Sequence, residues 1–280
     1  MSGASVLRKA LRDQRWQVLG FGLALFVMAF TSVVLWPNVR DTLQNLELPK
    51  AVQAFLGNDL NIATPAGYLS ARYFGWVEIL LIVFAVIAGT GAVAGEESAG
   101  TIDLLLSQPI PRSSMIVQKA AAAAAGSATI IGIGWLGFAL SVPLVSIRIS
   151  ITDTAIASAN MLPITLLFYA IALWLGAIAP NRSTAAGAAI GLATGWYFVS
   201  TLANGIGALH GLKYATPFYY YGSGLSLVEG IDWTHVGLLI GVALAFVLLT
   251  LRAFERRDIA TGGGSDIDVF GVMRRVWART

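Results

Sequence analysis

The feature that most constrains the fold of this 280-residue chain is the spacing of its charged residues. Asp, Glu, Lys and Arg make up 12% of the chain, and six runs of 17 or more residues contain none of them. A helix of about 20 apolar residues crosses the roughly 30 Å hydrocarbon core of a bilayer, where a bare backbone finds no hydrogen-bond partner. Apolar and polar residues do not alternate with a two-residue period in these runs, which argues against a transmembrane β-barrel. The sequence therefore predicts an all-α integral membrane protein.

We predict six transmembrane helices from these runs, near residues 17–36, 73–94, 120–146, 160–179, 184–204 and 235–251. They make up a transmembrane domain over residues 17–252. Two long connections, 37–72 and 205–234, fall on one side of the membrane, and the polar segment 95–119 falls on the other.

Lysine and arginine are distributed unequally between the two sides. With six spans, thirteen of these residues lie on the side of both termini and five on the opposite side. Cytoplasmic loops carry an excess of Lys and Arg. The bias therefore predicts a multi-pass protein with both termini in the cytoplasm.

Both termini have basic amphipathic patterns that indicate helices lying on the inner leaflet of the bilayer. Residues 1–16 include "SVLRKALRDQRW", with apolar and basic side chains on different faces. The tail, 253–280, contains a glycine hinge at 261–265 followed by "DIDVFGVMRRVWART". For the C-terminal helix, docking on a soluble partner is the alternative.

Several kinds of chemistry are excluded by what the sequence lacks. It has no cysteine and two histidines, so neither a thiolate metal site nor a convincing zinc site is predicted. No lysine follows a glycine, which excludes a phosphate-cradling P-loop. The net charge of +3 is small, and nucleic acid is not an expected partner. We predict no catalytic residue, no metal site and no cofactor held by this chain.

Glu78 is the one carboxylate inside a predicted span, in "RYFGWVEILLIVF". A carboxylate within the membrane is costly and is a functional-site candidate for that reason. Pairing with Arg72, six residues earlier, is the structural alternative to a role in a transport pathway.

Small residues and tyrosines mark two further stretches. Gly187, Gly191 and Gly195 are four residues apart in the fifth span, which gives a smooth face for close packing by another helix of this chain or of a second copy. Tyrosines 219–221 suit a membrane interface, with a ligand site as the alternative.

The segment "GEESAGTIDLLLSQPIPRSSMIVQK", residues 95–119, interrupts the apolar chain. Thr101 can cap a short helix with Asp103 in its first turn, and Pro109 ends it. About two turns, 101–107, then display an apolar cluster, which marks a contact surface; packing back on the bilayer is the alternative. A new helix begins after Pro111 and runs through Lys119 into the third span.

This segment resembles the first cytoplasmic loop of type-2 ABC transporter permeases, and "ATPFYYYGSG" (215–224) and "FERRDIA" (254–260) also match that family. The resemblance implies a homodimer of permeases driven by two ATPase subunits that bind ATP and Mg²⁺. Residues 1–16 would be an elbow-like surface helix, and the loop would form a coupling helix seated in the ATPase. The implied contact residues are Glu96, Glu97, Gly100, Thr101, Asp103, Leu104, Leu105, Leu106 and Arg112.

The function predicted from the sequence is thus a permease subunit of an exporter in a prokaryotic plasma membrane, without catalytic activity of its own. A self-contained secondary transporter or channel is one alternative, although it is expected to carry midplane charges or internal repeats. A membrane anchor for a cytoplasmic complex is the other. Nothing in the sequence selects a cargo.

Overall fold

Six helical stretches in the computed structural model are long and apolar enough to cross a membrane. The structure describes residues 4–45, 61–95, 111–222 and 225–256, and every regular element in those ranges is a helix. The prediction of an all-α membrane protein with six spans is confirmed. In chain order, spans 1 to 6 are Val6–Gln44, Pro65–Gly95, Ser113–Leu144, Ile151–Ile178, Arg182–Gly205 and Trp233–Phe254.

The described ranges contain ten α-helices: α1 Ala4–Gln44, α2 Pro65–Leu69, α3 Gly75–Thr90, α4 Arg112–Ser141, α5 Ile151–Ala159, α6 Met161–Ile178, α7 Arg182–Gly205, α8 Pro217–Tyr221, α9 Ser226–Glu229 and α10 Trp233–Arg256. Two π-helical turns, Ser70–Phe74 and Gly91–Gly95, flank α3. Two 3₁₀ turns, Val142–Leu144 and Gly207–Ala215, lie in the connections. We call the end of the bundle where α3 ends and α4 begins the inner end, and the opposite end the outer end.

Helix α1 is continuous over 41 residues. The stretch predicted as a separate surface helix, 1–16, therefore runs from Ala4 without a break into span 1. No glycine or proline interrupts residues 4–19. The backbone N–H of Leu7 donates to the side-chain oxygen of Gln118 at 3.1 Å, which fastens the start of α1 to α4.

Close approach of the helices depends on glycine at a few points. Helix α1 packs along α4, and α6 packs against both α3 and α10. A Cβ at Gly137 in α4 would lie 2.5 Å from the backbone oxygen of Phe26. A Cβ at Gly89 in α3 would lie 2.7 Å from the Cβ of Ala172 in α6. Any larger residue at these two positions must push the helices apart.

The outer connections contain short helices that the Pro- and Gly-rich composition did not predict. The fourth span was predicted to begin at residue 160, but α5 precedes it and meets α6 at Asn160. The side-chain amide of Asn160 donates to Ser226 Oγ at 2.6 Å and to the backbone oxygen of Tyr221 at 3.4 Å. One buried asparagine thus joins the start of α6 to the connection formed by α8 and α9.

Candidate functional site

The predicted coupling segment is framed by two described ends. Span 2 ends at Gly95, and α4 begins at Arg112 after Pro111. The helix predicted to begin after Pro111 and to include Lys119 is therefore present. Arg112 is the first residue of α4, whereas the other predicted contact residues, 96–106, lie outside the described residues, and their role stays a prediction.

Span 2 changes to π-helical geometry at its inner end, over Gly91–Gly95. A π-helical turn shifts carbonyl groups out of the usual backbone pairing and is frequent at functional sites. The ammonium group of Lys119 donates to the backbone oxygen of Ala92. The guanidinium of Arg182 donates to the backbone oxygen of Ile87 at 3.4 Å. Two cations from α4 and α7 therefore hold the inner end of span 2.

Sequence reasoning did not single out Lys119 or Arg182 as functional residues. Lys119 is the last charged residue before the long apolar run of span 3, and Arg182 is the only charged residue between spans 4 and 5. A lone cation at the start of an apolar run is a signal that could have found them. The carbonyl groups that they bind could not have been identified without the structure.

Glu78 is buried in the outer half of span 2, with 2% of its surface exposed. Its Oε2 atom has no hydrogen-bond partner among the described residues. Arg72, the partner considered from the sequence, interacts with the hydroxyl of Tyr68 instead, and the described part of the chain holds no ion pair between Arg72 and Glu78. The role of Glu78 in a pathway stays a prediction.

Tyr221, at the end of α8, lies close enough to Glu78 to be affected by its charge. Burial, followed by the charge of Glu78, raises the pKa of Tyr221 well above its usual range. The Tyr221 hydroxyl also has no hydrogen-bond partner within the described ranges. A buried carboxyl and a buried phenol thus lie near each other under the outer connection, and both have unused hydrogen-bonding capacity.

Above Tyr221 lies a polar outer cavity of about 390 Å³. Tyr219 and Tyr220 line it and pack against the ring of His235, with centroid distances of 5.4 and 5.2 Å. The ammonium of Lys213 is 5.3 Å from the ring centroid of Tyr219 and 2.9 Å from His210 Nε2. All three consecutive tyrosines therefore line the outer cavity, and Tyr221 is the one that is buried.

Asp232 sits on the rim of the outer cavity, at the start of α10. Its carboxylate accepts the backbone N–H of Thr234 at 2.8 Å. This hydrogen bond is the main reason that the pKa of Asp232 is lowered. His235 Nε2 lies 3.7 Å from the other carboxylate oxygen. The outer cavity thus presents a cation, a carboxylate and several aromatic rings.

An apolar groove of about 150 Å³ separates α3 from α7. Phe218 lines both this groove and the outer cavity, so the two spaces are neighbours. The other groove residues are Ile79, Ile82, Val83, Val86, Ile190, Ala193, Thr194 and Tyr197. Polar and apolar binding space therefore meet at one aromatic side chain, that of Phe218.

The glycine face of α7 is open. A Cβ added at Gly187, Gly191 or Gly195 would meet no atom within 4 Å. Ala185, Ala189 and Ala193, on another face of the helix, are buried. Helix α7 therefore packs into its own chain through alanines. The glycine face contacts no other helix in the part of the chain that the structure describes, and its role as a dimer seam stays a prediction.

Within the described ranges, no group of three or more His, Asp or Glu side chains is placed to hold a metal ion. The fold and the site define a multi-pass membrane protein in which a polar segment joins spans 2 and 3 at the inner end. The family model described as ABC-2 family transporter protein matches residues 5–259, and the chain belongs to that family. The resemblance seen in the sequence is confirmed. No curated protein sequence matches the chain.

Proposed function

We propose that the chain is the permease subunit of an exporter, in which two permease copies work with two separate ATPase subunits. The observation that carries this proposal is membership of the ABC-2 transporter family over residues 5–259. ATP and Mg²⁺ bind in the ATPase subunits in this proposal, which agrees with the lack of a P-loop in this sequence. The lysine and arginine bias supports cytoplasmic termini, so that the inner end faces the cytoplasm. A prokaryotic plasma membrane is the proposed location.

The ATPase docks on the 101–107 coupling helix, and closure of the ATPase dimer pushes spans 2 and 3. Leu104, Leu105 and Leu106 supply the apolar contact, and Glu96 and Glu97 supply charge at its edge. Movement reaches the rest of the bundle because α3 is interlocked with α6 at Gly89 and α4 with α1 at Gly137. Covalent chemistry is confined to the partner.

Cargo passes along the groove between α3 and α7 and reaches the outer cavity past Phe218. Apolar walls followed by a polar, aromatic cavity suit a molecule with an apolar part and a polar group. Glu78 and Tyr221 lie beside this route and offer it hydrogen-bonding groups that have no partner among the described residues.

Leu105→Asp tests the docking surface, because it removes an apolar contact and places a carboxylate in an apolar cleft. Truncation of a well-packed apolar contact residue costs about 2 kcal/mol or more of binding free energy. We expect at least a tenfold loss of ATPase co-purification, with membrane insertion unchanged. Gln108→Glu adds the same charge to the same segment without removing a leucine and serves as the control. Equal co-purification of ATPase with both variants and the wild type refutes docking at Leu105.

A second copy of this chain is proposed to pack on the open glycine face of α7. The native chain has no cysteine, so Gly191→Cys introduces a single reporter. A disulfide requires Cα atoms about 4.4–6.8 Å apart. We expect Gly191→Cys to form a reducible dimer on oxidation in membranes. Leu244→Cys, on the exposed face of α10, is the control. Crosslinking that is no stronger for Gly191→Cys than for Leu244→Cys rules this seam out.

A further inference from the structure

A second apolar groove, which the transport route does not use, is lined by α6, α7 and α10. Both α7 and α10 pack against α6, and the buried side chains of Leu167 and Ile171 on α6 form the floor of the groove. Trp196 of α7 and Val242 of α10 line its walls, and its volume is about 220 Å³. It shares no residue with the groove between α3 and α7. We call this space the side groove.

The side groove lies at the depth of the lipid chains. Trp233, the first residue of span 6, is 75% exposed, and exposed tryptophans of membrane proteins are concentrated at the level of the lipid head groups. Leu238 and Val242, two groove residues, are five and nine residues further along α10. At 1.5 Å per residue they lie about 8 and 14 Å deeper in the membrane. Both are apolar and partly exposed, so lipid chains can reach the groove.

The side groove is continuous with the polar outer cavity. Tyr220 lines both spaces. Its hydroxyl donates to the backbone oxygen of Tyr214 at 2.9 Å, which fixes the ring at the boundary between them. Polar space at head-group depth thus adjoins apolar space at chain depth. This arrangement matches a molecule that carries a polar head and an apolar chain.

The outer cavity offers charges of both signs to such a head group. The ammonium of Lys213 has three donors, and among the described residues it meets one hydrogen-bonding atom, His210 Nε2 at 2.9 Å. It also lies 5.3 Å from the ring centroid of Tyr219. Asp232 is close enough to Tyr219 for its charge to contribute, after burial and Tyr214, to the raised pKa of that phenol. A cation and a carboxylate therefore lie on either side of one tyrosine.

The balance of these charges selects the type of head group. Asp232 and Glu229 are the carboxylates on the wall of the outer cavity, and Lys213 is its lysine. Two carboxylates beside one ammonium disfavour a ligand with a net negative charge. A zwitterionic head group places a phosphate near the ammonium and an amine near a carboxylate, so both of its charges are matched.

We propose that the side groove binds an acyl chain of a zwitterionic phospholipid from the leaflet at the outer end, with the head group of that lipid in the outer cavity. The phosphate lies at Lys213 and the amine at Asp232. The chain runs past Tyr220 and lies between Trp196 and Val242. The bound lipid occupies the outer end of the proposed cargo route, and the inference rests on the proposed function only for this last point.

The experiment uses the purified full chain in nanodiscs that contain equal amounts of phosphatidylethanolamine and phosphatidylglycerol. After extraction with a mild detergent, native mass spectrometry measures which lipid the chain retains. We expect the wild type to retain phosphatidylethanolamine in preference to phosphatidylglycerol. The assay contains no ATPase and measures no transport, so failure of this proposal is separate from failure of the proposed function.

Val242→Trp tests the side groove, because the larger side chain fills the space of the acyl chain. Leu244→Trp places the same side chain on α10, at a 59% exposed position outside the groove, and is the control. We expect Val242→Trp to bind phosphatidylethanolamine about tenfold more weakly, since displacing about two methylene groups from an apolar site has that effect. Leu244→Trp should bind it as the wild type does.

Lys213→Gln tests the head-group position and leaves the side groove open. Arg148→Gln removes the same charge from an exposed position on the outer connection between spans 3 and 4, and is its control. We expect retention of phosphatidylethanolamine to fall about tenfold for Lys213→Gln alone, since a charge-assisted hydrogen bond supplies about that factor.

Three results overturn the proposal. The first is equal retention of phosphatidylethanolamine by Val242→Trp and Leu244→Trp, and the second is equal retention by Lys213→Gln and Arg148→Gln. The third is a preference of the wild type for phosphatidylglycerol, which would contradict the zwitterionic head group. Unfolding temperatures of the four variants are recorded alongside, and Lys213→Gln keeps the test decisive if Val242→Trp does not fold.

Discussion

Replacing Gly89 by alanine tests whether α3 and α6 move as one body. A Cβ at residue 89 would lie 2.7 Å from the Cβ of Ala172 and 2.7 Å from the backbone oxygen of Tyr169. Ordinary contacts of a Cβ begin at 3.4 Å, so α3 and α6 must separate by about 0.7 Å. Neither opposing atom belongs to a side chain that can turn away. The strain therefore falls on the helix axes.

The loss of stability expected for Gly89→Ala is obtained by comparison with Gly132→Ala. That variant makes the same change in α4, at a position where a Cβ meets nothing within 4 Å. Alanine raises helix propensity by about 1 kcal/mol at both positions, so this contribution cancels between the two variants. The difference between the two variants is then the overpacking at residue 89, which lowers the free energy of unfolding by about 1–3 kcal/mol. For a chain of this size, this difference corresponds to an unfolding temperature lower by about 2–5 °C.

The assay is thermal unfolding of the purified full chain, followed by tryptophan fluorescence, together with transport in proteoliposomes that contain the ATPase. We expect Gly89→Ala to unfold at a lower temperature than Gly132→Ala and to couple ATP hydrolysis to transport less efficiently, since Gly89 immediately precedes the held end of span 2. Equal unfolding temperatures for the two variants would show that α3 and α6 are not in close contact at residue 89. The idea that the two helices move as one body would then be refuted.

Two further substitutions test the outer half of the bundle. Glu78→Gln should leave the unfolding temperature within about 2 °C of the wild type, because Oε2 makes no hydrogen bond to the described residues that the amide would lose. The same variant should reduce transport, since Glu78 lies beside the proposed route. A clearly lower unfolding temperature with normal transport would instead assign Glu78 to stability. Asn160→Ala removes the 2.6 Å bond to Ser226 and should cost about 1–3 kcal/mol in thermal unfolding. Asn204→Ala, on the wall of the same outer cavity, is its control, and equal unfolding temperatures for these two alanine variants would contradict the role of Asn160 as a buried link.

The number and approximate position of the spans could be predicted because the cost of placing charge in lipid is a property of each residue. Runs free of Asp, Glu, Lys and Arg identify the six spans whatever the packing between them. The inner start of α4 was also predictable, since proline at residue 111 restricts the backbone locally. These features depend on the sequence within a few residues of each position.

Features that depend on contacts between distant residues could not be predicted. Gly-x-x-x-Gly spacing in α7 indicated close packing, but among the described residues α7 buries its alanines and leaves the glycines open. The irregular glycines of α4 include those that approach α1 most closely. The spacing of small residues defines a smooth face, but the partner that covers it is decided by the whole bundle. The π-helical end of span 2, with its bonds to Lys119 and Arg182, is a further example.

The packing of α3 indicates which interface should open when the coupling segment moves. On the side of α6, Gly89 allows backbone contact with no spare volume. On the side of α7, the two helices enclose an apolar groove of about 150 Å³. A force applied at Gly95 therefore meets less resistance at the α3–α7 boundary, and we expect α3 and α6 to move together while the groove widens. The groove ends at Phe218, beside the outer cavity, so we expect this widening to act on the proposed cargo route.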